Sequence, residues 1–455
     1  MKYLLVALSL VSQPLISQAG SADEALDEAL KSAKWKSALH LGLQRPVDPR
    51  VTKIESGEFG GGDVHLARSP AEVRALSGKL RPGDQLLLAG AAWKDARFTF
   101  EGRGTAEAPV VIRPEKPGGV TFTGESAVTF HGEHLIVHDL AFVGVTVSKN
   151  NEVLFRVGNG VEKPANQCVF NRLRFDNCGS TNPADWPKLH LWLMSMRGHG
   201  NTVSNSIFSG FRHIGQMIGA AELPKDGLQQ LHVLNNRFMD RPKIDDQNGY
   251  EILQIGWSGE KAAPSGSLIA GNVFENCDGE NEIVSLKASD IVVRDNQFLG
   301  CQGVLSLRSA NRVLVQGNVF DGQGQENVGG LTLEGADHVL IGNTFRRLVK
   351  QRNYYFWTIA MAAGSAENYG DNGDVAGYGR PKNILITQNR FEHCDSRIAA
   401  GTYFRKEFPL LPKNIRVEQN AFNGTKASRA FDFIADDPSG ELPKELHEAG
   451  NTFEP

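Results

Sequence analysis

The stretch 269–320, IAGNVFENCDGENEIVSLKASDIVVRDNQFLGCQGVLSLRSANRVLVQGNVF, holds one phrase three times: Ile269-Ala-Gly-Asn272-Val-Phe274, Val293-Arg-Asp-Asn296-Gln-Phe298 and Val315-Gln-Gly-Asn318-Val-Phe320. Apolar positions alternate with period two, and Val, Ile and Phe dominate, so the unit is a strand and not a helix. Further copies lie on both sides: Leu234-Asn-Asn236-Arg-Phe238, Ile341-Gly-Asn343-Thr-Phe345, Ile386-Thr-Gln-Asn389-Arg-Phe391, Val417-Glu-Gln-Asn420-Ala-Phe422 and Asn451-Thr-Phe453. Weaker copies end at Phe142, Phe175 and Phe208. The phenylalanines fall about 22 to 25 residues apart where spacing is tightest, which suits a solenoid whose coils carry insertions. Stacked asparagines hydrogen-bond from coil to coil, and the leucine phrase of leucine-rich repeats is absent. The expected fold is all-β: a single-stranded right-handed parallel β-helix.

A solenoid must cover its open end. Ser69-Pro70-Ala71-Glu72 is a capping box with proline at the first helical position, and predicts a short helical lid over 70–76 before the turn Arg81-Pro82-Gly83-Asp84. Lys2, the apolar run 3–10 and a small-residue site ending at Ala19 have the layout of an export signal. The chain thus reads as a signal peptide (1–19), a charged, then glycine-rich segment with helical character near 25–33 (20–62), and one β-helix domain (63–455). An exported protein, periplasmic or secreted, is expected.

A formal net charge of −4 argues against nucleic-acid binding, and no later stretch is apolar for long enough to span a membrane. A monomer is expected, with a dimer left open. Four of the five cysteines sit in one repeated phrase: Phe175-Asp-Asn-Cys178, Phe274-Glu-Asn-Cys277, Phe298-Leu-Gly-Cys301 and Phe391-Glu-His-Cys394. That is a repeated buried position rather than a disulfide framework.

Between the phenylalanine phrases, Val284-Ser285-Leu286-Lys287, Leu305-Ser306-Leu307-Arg308 and Leu331-Thr332-Leu333-Glu334 align. With Val284 and Leu286 inward, Lys287 and Arg308 point outward from adjacent coils roughly 4.8 Å apart. Like charges at that distance favour a lowered lysine pKa, useful for a general base; position alone also fits two solvated surface cations. One coil earlier, 250–256 aligns with 281–287, which brings Asn248 near Glu280 and Glu282, with Glu251 and Asp278 as further members. Such oxygen ligands suit Ca²⁺, although an acidic turn in solvent reads the same way. Together the groups point to uronate β-elimination: the ion neutralises the carboxylate, the lysine takes the C5 proton, and the arginine stabilises or protonates the leaving oxygen. No facing carboxylate pair of the hydrolase kind stands out.

From about Val64 onward the chain resembles polysaccharide lyase family six, the β-helix lyases that include chondroitinase B and many alginate lyases. The resemblance rests on Ser69-Pro-Ala-Glu-Val, Leu80-Arg-Pro-Gly-Asp84, Gly102-Arg-Gly-Thr-Ala106, Gly329-Gly330-Leu-Thr-Leu followed by His338, and above all Glu280-Asn-Glu282-Ile-Val-Ser-Leu-Lys287 with Leu305-Ser-Leu-Arg308. It implies Lys287 as Brønsted base, Arg308 as acid, and Asn248, Glu280 and Glu282 as calcium ligands. Two positions depart from the family pattern. Ser309-Ala310 follows the arginine where members commonly carry His-Gly, and Thr332 replaces a basic residue. Both positions are expected to face the sugar.

The implied partner is an acidic polysaccharide, alginate first and dermatan sulfate second; a carbohydrate-binding solenoid without catalysis is the alternative of another class. The interval between Phe345 and Phe391 contains Arg346, Arg347, Lys350, Arg352, Tyr354, Tyr355, Trp357 and Arg380, cations and aromatics suited to the cleft wall. Ser309, Arg352 and Tyr354 are the expected substrate contacts.

Overall fold

The computed structural model describes residues 48–455 except 91, 161, 225–227, 246, 350–356, 372–376 and 436–443. Three parallel sheets of 14, 13 and 13 strands wind around one core. Each coil gives one strand to each sheet: Leu268–Ala270, Val273–Cys277 and Glu282–Lys287 form one turn, and Ile291–Arg294, Gln297–Leu299 and Val304–Leu307 the next. Like stacks on like, with Ile269 opposite Val293, Phe274 opposite Phe298 and Ser285 opposite Ser306. This is the parallel β-helix that the repeated phrase requires.

The asparagine of each phrase holds the coils in register. Asn236, Asn272, Asn296, Asn318, Asn343, Asn389, Asn420 and Asn451 form one continuous ladder. Each Nδ2 donates to the next Oδ1 at 2.9–3.0 Å, and each backbone N–H donates to that same oxygen at 2.9–3.0 Å. The residue before every ladder asparagine is left-handed, from Asn235 (φ 55°) and Gly271 (φ 67°) to Gln419 (φ 55°) and Gly450 (φ 62°). That turn aims the amide inward between the first and second sheets. Two residues later the phenylalanines stack from Phe122 to Phe453 with centroids 4.4–5.1 Å apart, a spacing set by the strands themselves.

All five cysteines are free. The Sγ atoms of Cys178, Cys277 and Cys301 donate to the Phe142, Phe238 and Phe274 carbonyls of the preceding coil at 3.3–3.4 Å. Burial pushes the Cys178 thiol up to about 12, so it is inert. The lid forms as Pro70–Leu76: Ser69 accepts from the Glu72 N–H, and Val73 closes the core. The Glu72 carboxylate, however, accepts from the Arg68 N–H, one residue outside the usual capping box.

Part of the 20–62 segment also finds its place. Helix Pro49–Glu55, capped by Asp48, lays Val51 and Ile54 with Phe59 on Val111, Ile136 and Val169, on the outer face of the first sheet. Thr202 Oγ1 donates to Asp48 at 2.7 Å and ties the helix to a later coil. The readings of 1–19 and 25–33 fall outside the described residues, as do Arg352 and Tyr354.

Asn296→Ala removes the acceptor of two buried donors, the Asn272 N–H and Nδ2. It should cost about 3 kcal/mol, seen as a lower urea midpoint; an unchanged midpoint would show that the ladder does not hold the coils.

Candidate active site

Along the third sheet the coils align as the sequence implied: Leu253 opposite Val284, Gly256 opposite Lys287, Val284 opposite Leu305, and Ser306 opposite Thr332. One feature breaks the alternation. The register shifts between Glu282 and Val284, so Ile283 and Val284 both enter the core and Glu282 turns out. With strict alternation from Leu286 and Val284, Glu282 would point inward; the bulge re-aims it onto the cleft face. The same doubling occurs one coil earlier, where Ile252 and Leu253 are both core and Glu251 lies outside it.

Oxygen atoms of Glu251, Glu280 and Glu282 lie within 4.8 Å of one another. Glu280 Oε2 accepts from the backbone N–H groups of Gly249 (2.7 Å) and Tyr250 (3.2 Å), while its buried Oε1 has no hydrogen-bond partner. Glu282 accepts from Ser285 Oγ and, at 3.1 Å, from Ser306 Oγ. Burial above all, then the Glu251 and Glu282 carboxylates, pushes Glu280 up to about 9. Behind the cluster Arg241 is fully buried, donating to the carbonyls of Tyr250, Gly215 and His213 at 2.7–3.0 Å. Burial pushes Arg241 down to about 10, with Glu251 and Glu280 opposing. An all-oxygen set with an unpartnered buried carboxylate oxygen fits a hard cation such as Ca²⁺.

Lys287 and Arg308 stand on adjacent coils, each with its own counter-charge rather than as an unopposed pair. Lys287 Nζ lies 3.4 Å from Glu251 Oε1. Arg308 Nη1 donates to both oxygens of Glu334 at 3.0 Å, and its Nε lies 3.8 Å from Glu282. The Tyr378 ring covers the Arg308 guanidinium at 4.0 Å, and Tyr369 Oη donates to the Arg308 carbonyl at 3.4 Å. Glu334, on the outer side of its strand as expected, is nonetheless fully buried; burial pushes it up to about 8, with the Arg308 charge opposing. Burial also pushes His338 down to about 4, in keeping with a neutral ring. Its Nδ1 accepts from the Val313 N–H while Nε2 donates to the Glu334 carbonyl.

Several expected contacts lie elsewhere. Ser309 is fully buried, its Oγ donating to Ser258 at 3.2 Å. Asn248 is exposed at the rim, and the N–H of Gly249 next to it reaches Glu280. Asp278 accepts from the Gln302 N–H and stays outside the carboxylate cluster. Arg346 and Arg347 both bind Asp321 by the second sheet, and Arg380 binds Glu367, so these cations are committed to structural pairs. Thr332 lies on the third sheet, buried, with Oγ1 unpartnered. Trp257, just past Gly256 and half exposed, is a cleft neighbour with no repeat signal to reveal it. The cavity of about 910 Å³ beneath helix Pro49–Glu55 opens on the first sheet and contains none of these groups.

The family model for chondroitinase B matches residues 68–421. The chain belongs to the chondroitinase B family of polysaccharide lyases. No curated protein matches this sequence. Among solved structures, the chain is similar to a mannuronic acid specific polysaccharide family 6 lyase from human gut microbiota (TM-score 0.74, 23% identity, covering 85% of this chain and 86% of that one). It is also similar to the PL6 family alginate lyase AlyGC (0.75, 24%, covering 85% and 53%) and to the PL6 family polysaccharide lyase Pedsa3628 from Pseudopedobacter saltans (0.70, 20%, covering 87% and 93%). The chain thus spans about half of AlyGC. At these identities the likeness to solved structures shows the shared fold.

Glu280 and Glu334 keep their protons to higher pH in the folded chain than an unfolded glutamate does. Between about pH 4.5 and about pH 9 these two carboxyls therefore hold more protons in the folded, metal-free protein, and their contribution to stability falls as pH rises, while the depressed His338 acts the other way below about pH 6.5. In chelator the melting temperature should drop from about pH 7 to about pH 9, above the histidine range, and Glu280→Gln should flatten that slope; a flat wild-type profile would contradict the cluster's electrostatics.

Proposed function

We propose that this lyase cleaves alginate by β-elimination, with Lys287 as base, Arg308 stabilising the leaving oxygen, and Ca²⁺ held by Glu251, Glu280 and Glu282. The observation that carries the reading is the placement of two cations on adjacent coils beside a three-carboxylate cluster, all on one sheet face. When bound, the ion would neutralise the substrate carboxylate and so acidify the C5 proton.

Acting as base, Lys287 takes the proton from C5 on its Nζ. The C5–H electrons form the C4–C5 double bond, and the C4–O bond breaks toward the leaving sugar. Arg308 is clamped between Glu334 and Tyr378. A guanidinium does not deprotonate in proteins, so Arg308 acts here by donating hydrogen bonds to the developing oxyanion, which is then protonated from solvent. Ser285 and Ser306 hold Glu282 in the cluster.

The choice of alginate draws on the fold's neighbours, of which AlyGC is named an alginate lyase and the gut enzyme is named mannuronic acid specific. Commitment of Arg346, Arg347 and Arg380 to carboxylates weighs against dermatan sulfate, which calls for spare cations. An extracellular polymer as substrate also agrees with the export expected from the sequence of 1–19.

Lys287→Ala should lower the rate at which alginate gains the ultraviolet absorbance of unsaturated uronate ends by about 10²- to 10⁴-fold, with an unchanged circular dichroism spectrum. Near wild-type turnover in this variant would sink the mechanism.

A further inference from the structure

The third sheet continues for several coils on the side of Lys287 toward the N-terminus, and its outward column reads Thr99, Thr129, Arg156, Ser195, Gly219, Gln254 and Ser285 by direct register. Arg156 is the one cation in that run of small and neutral residues. Phe155 and Val157 on either side are core residues, so its side chain leaves on the cleft face. It is half-buried, with no hydrogen bond or ion pair among the described residues. Neighbouring carboxylates are engaged: Glu152 with Arg97 at 2.9 Å, and Glu222 with Arg197. Burial first and the nearby Arg197 cation second work against the charge on Arg156, with Glu152 offsetting part of it, so an arriving anion adds to an incomplete compensation.

The next coil carries an indole, Trp192, which pairs with Val153 three residues before Arg156. The Trp192 indole lies along Gly219, where a Cβ would stand 3.3 Å from Trp192 Cδ1. The indole Nε1 donates to Gln216 Oε1, and Gln216 Nε2 donates to Glu251 at 2.8 Å, so a hydrogen-bonded chain links this floor to the carboxylate cluster. A half-buried free guanidinium with an indole one coil on along the same sheet is a constellation for a sugar acid: carboxylate on the cation, ring on the aromatic face.

We infer that Arg156, with Trp192, forms a distal subsite that binds the carboxylate of a uronate well away from the bond being cleaved. Four inter-strand steps separate Arg156 from Ser285, roughly 19 Å along the axis. A trisaccharide held at Lys287 does not reach that far, whereas a polymer lies across both. The subsite makes the enzyme selective for long chains. It rests on the elimination reading for its substrate, and its residues take no part in the chemistry.

The test compares wild type, Arg156→Gln and Arg156→Lys on high-mass alginate and on alginate trisaccharide. In Arg156→Gln the preference for polymer, the ratio of the two kcat/KM values, should fall about tenfold, the scale of one charge-assisted contact, and Arg156→Lys should restore part of it. An undiminished preference in Arg156→Gln overturns the subsite. If wild type makes no unsaturated ends from any uronate polymer, the elimination reading fails separately. Retardation in an alginate-containing native gel, each protein measured against its own mobility without alginate, then decides the subsite alone: it stands if wild type is retarded more than Arg156→Gln and falls if the two are retarded equally.

Discussion

The amide ladder from Asn236 to Asn451 fixes where every other side chain stands. Each Oδ1 takes two donors from the preceding coil, so a shift of one residue would strand buried amides throughout the turn. The phenylalanine stack adds apolar area on the same coil period, and the ladder adds directional bonds to it. Because the coils are locked in register, residues 21 apart in sequence, Lys287 and Arg308, become neighbours on one face.

Registration alone would bury a carboxylate of the cluster. The extra residue at Ile283–Val284 turns Glu282 toward the cleft and lets Glu251, Glu280 and Glu282 converge. The resulting negative charge is set against Arg241 from behind and Lys287 and Arg308 from the front. Neither cation stands alone: Glu251 faces Lys287, and Glu334 with Tyr378 holds Arg308. The site is a compensated set of charges that a cation and an anionic sugar can enter together.

Much of this was legible in the repeated phrase. The strand period, the asparagine turn and the alignment of 281–287 on 250–256 emerge from spacing, and with them the neighbourhood of Lys287, Arg308, Glu280 and Glu282. The bulge was not, because two apolar residues in succession look the same whether a strand is regular or doubled. The same spacing sets Glu334 beside Arg308, but Tyr369 and Tyr378 approach it from the insertion of a later coil, contacts with no periodic signature. Ser309 is assigned to the sugar by the resemblance alone, whereas the alternation that turns Leu307 inward and Arg308 outward leaves Ser309 buried. Arg346 and Arg347 misled because composition cannot show that Asp321 already binds both.

The account's central claim is that the registered cations and the carboxylate cluster act together in elimination. Proton NMR of an alginate digest, run on calcium-stripped protein and again after adding calcium alone, tests it most directly. The account predicts the olefinic signal of the unsaturated uronate, weak in the stripped protein and restored by the ion. New reducing ends without that signal, or a rate indifferent to calcium, would contradict it.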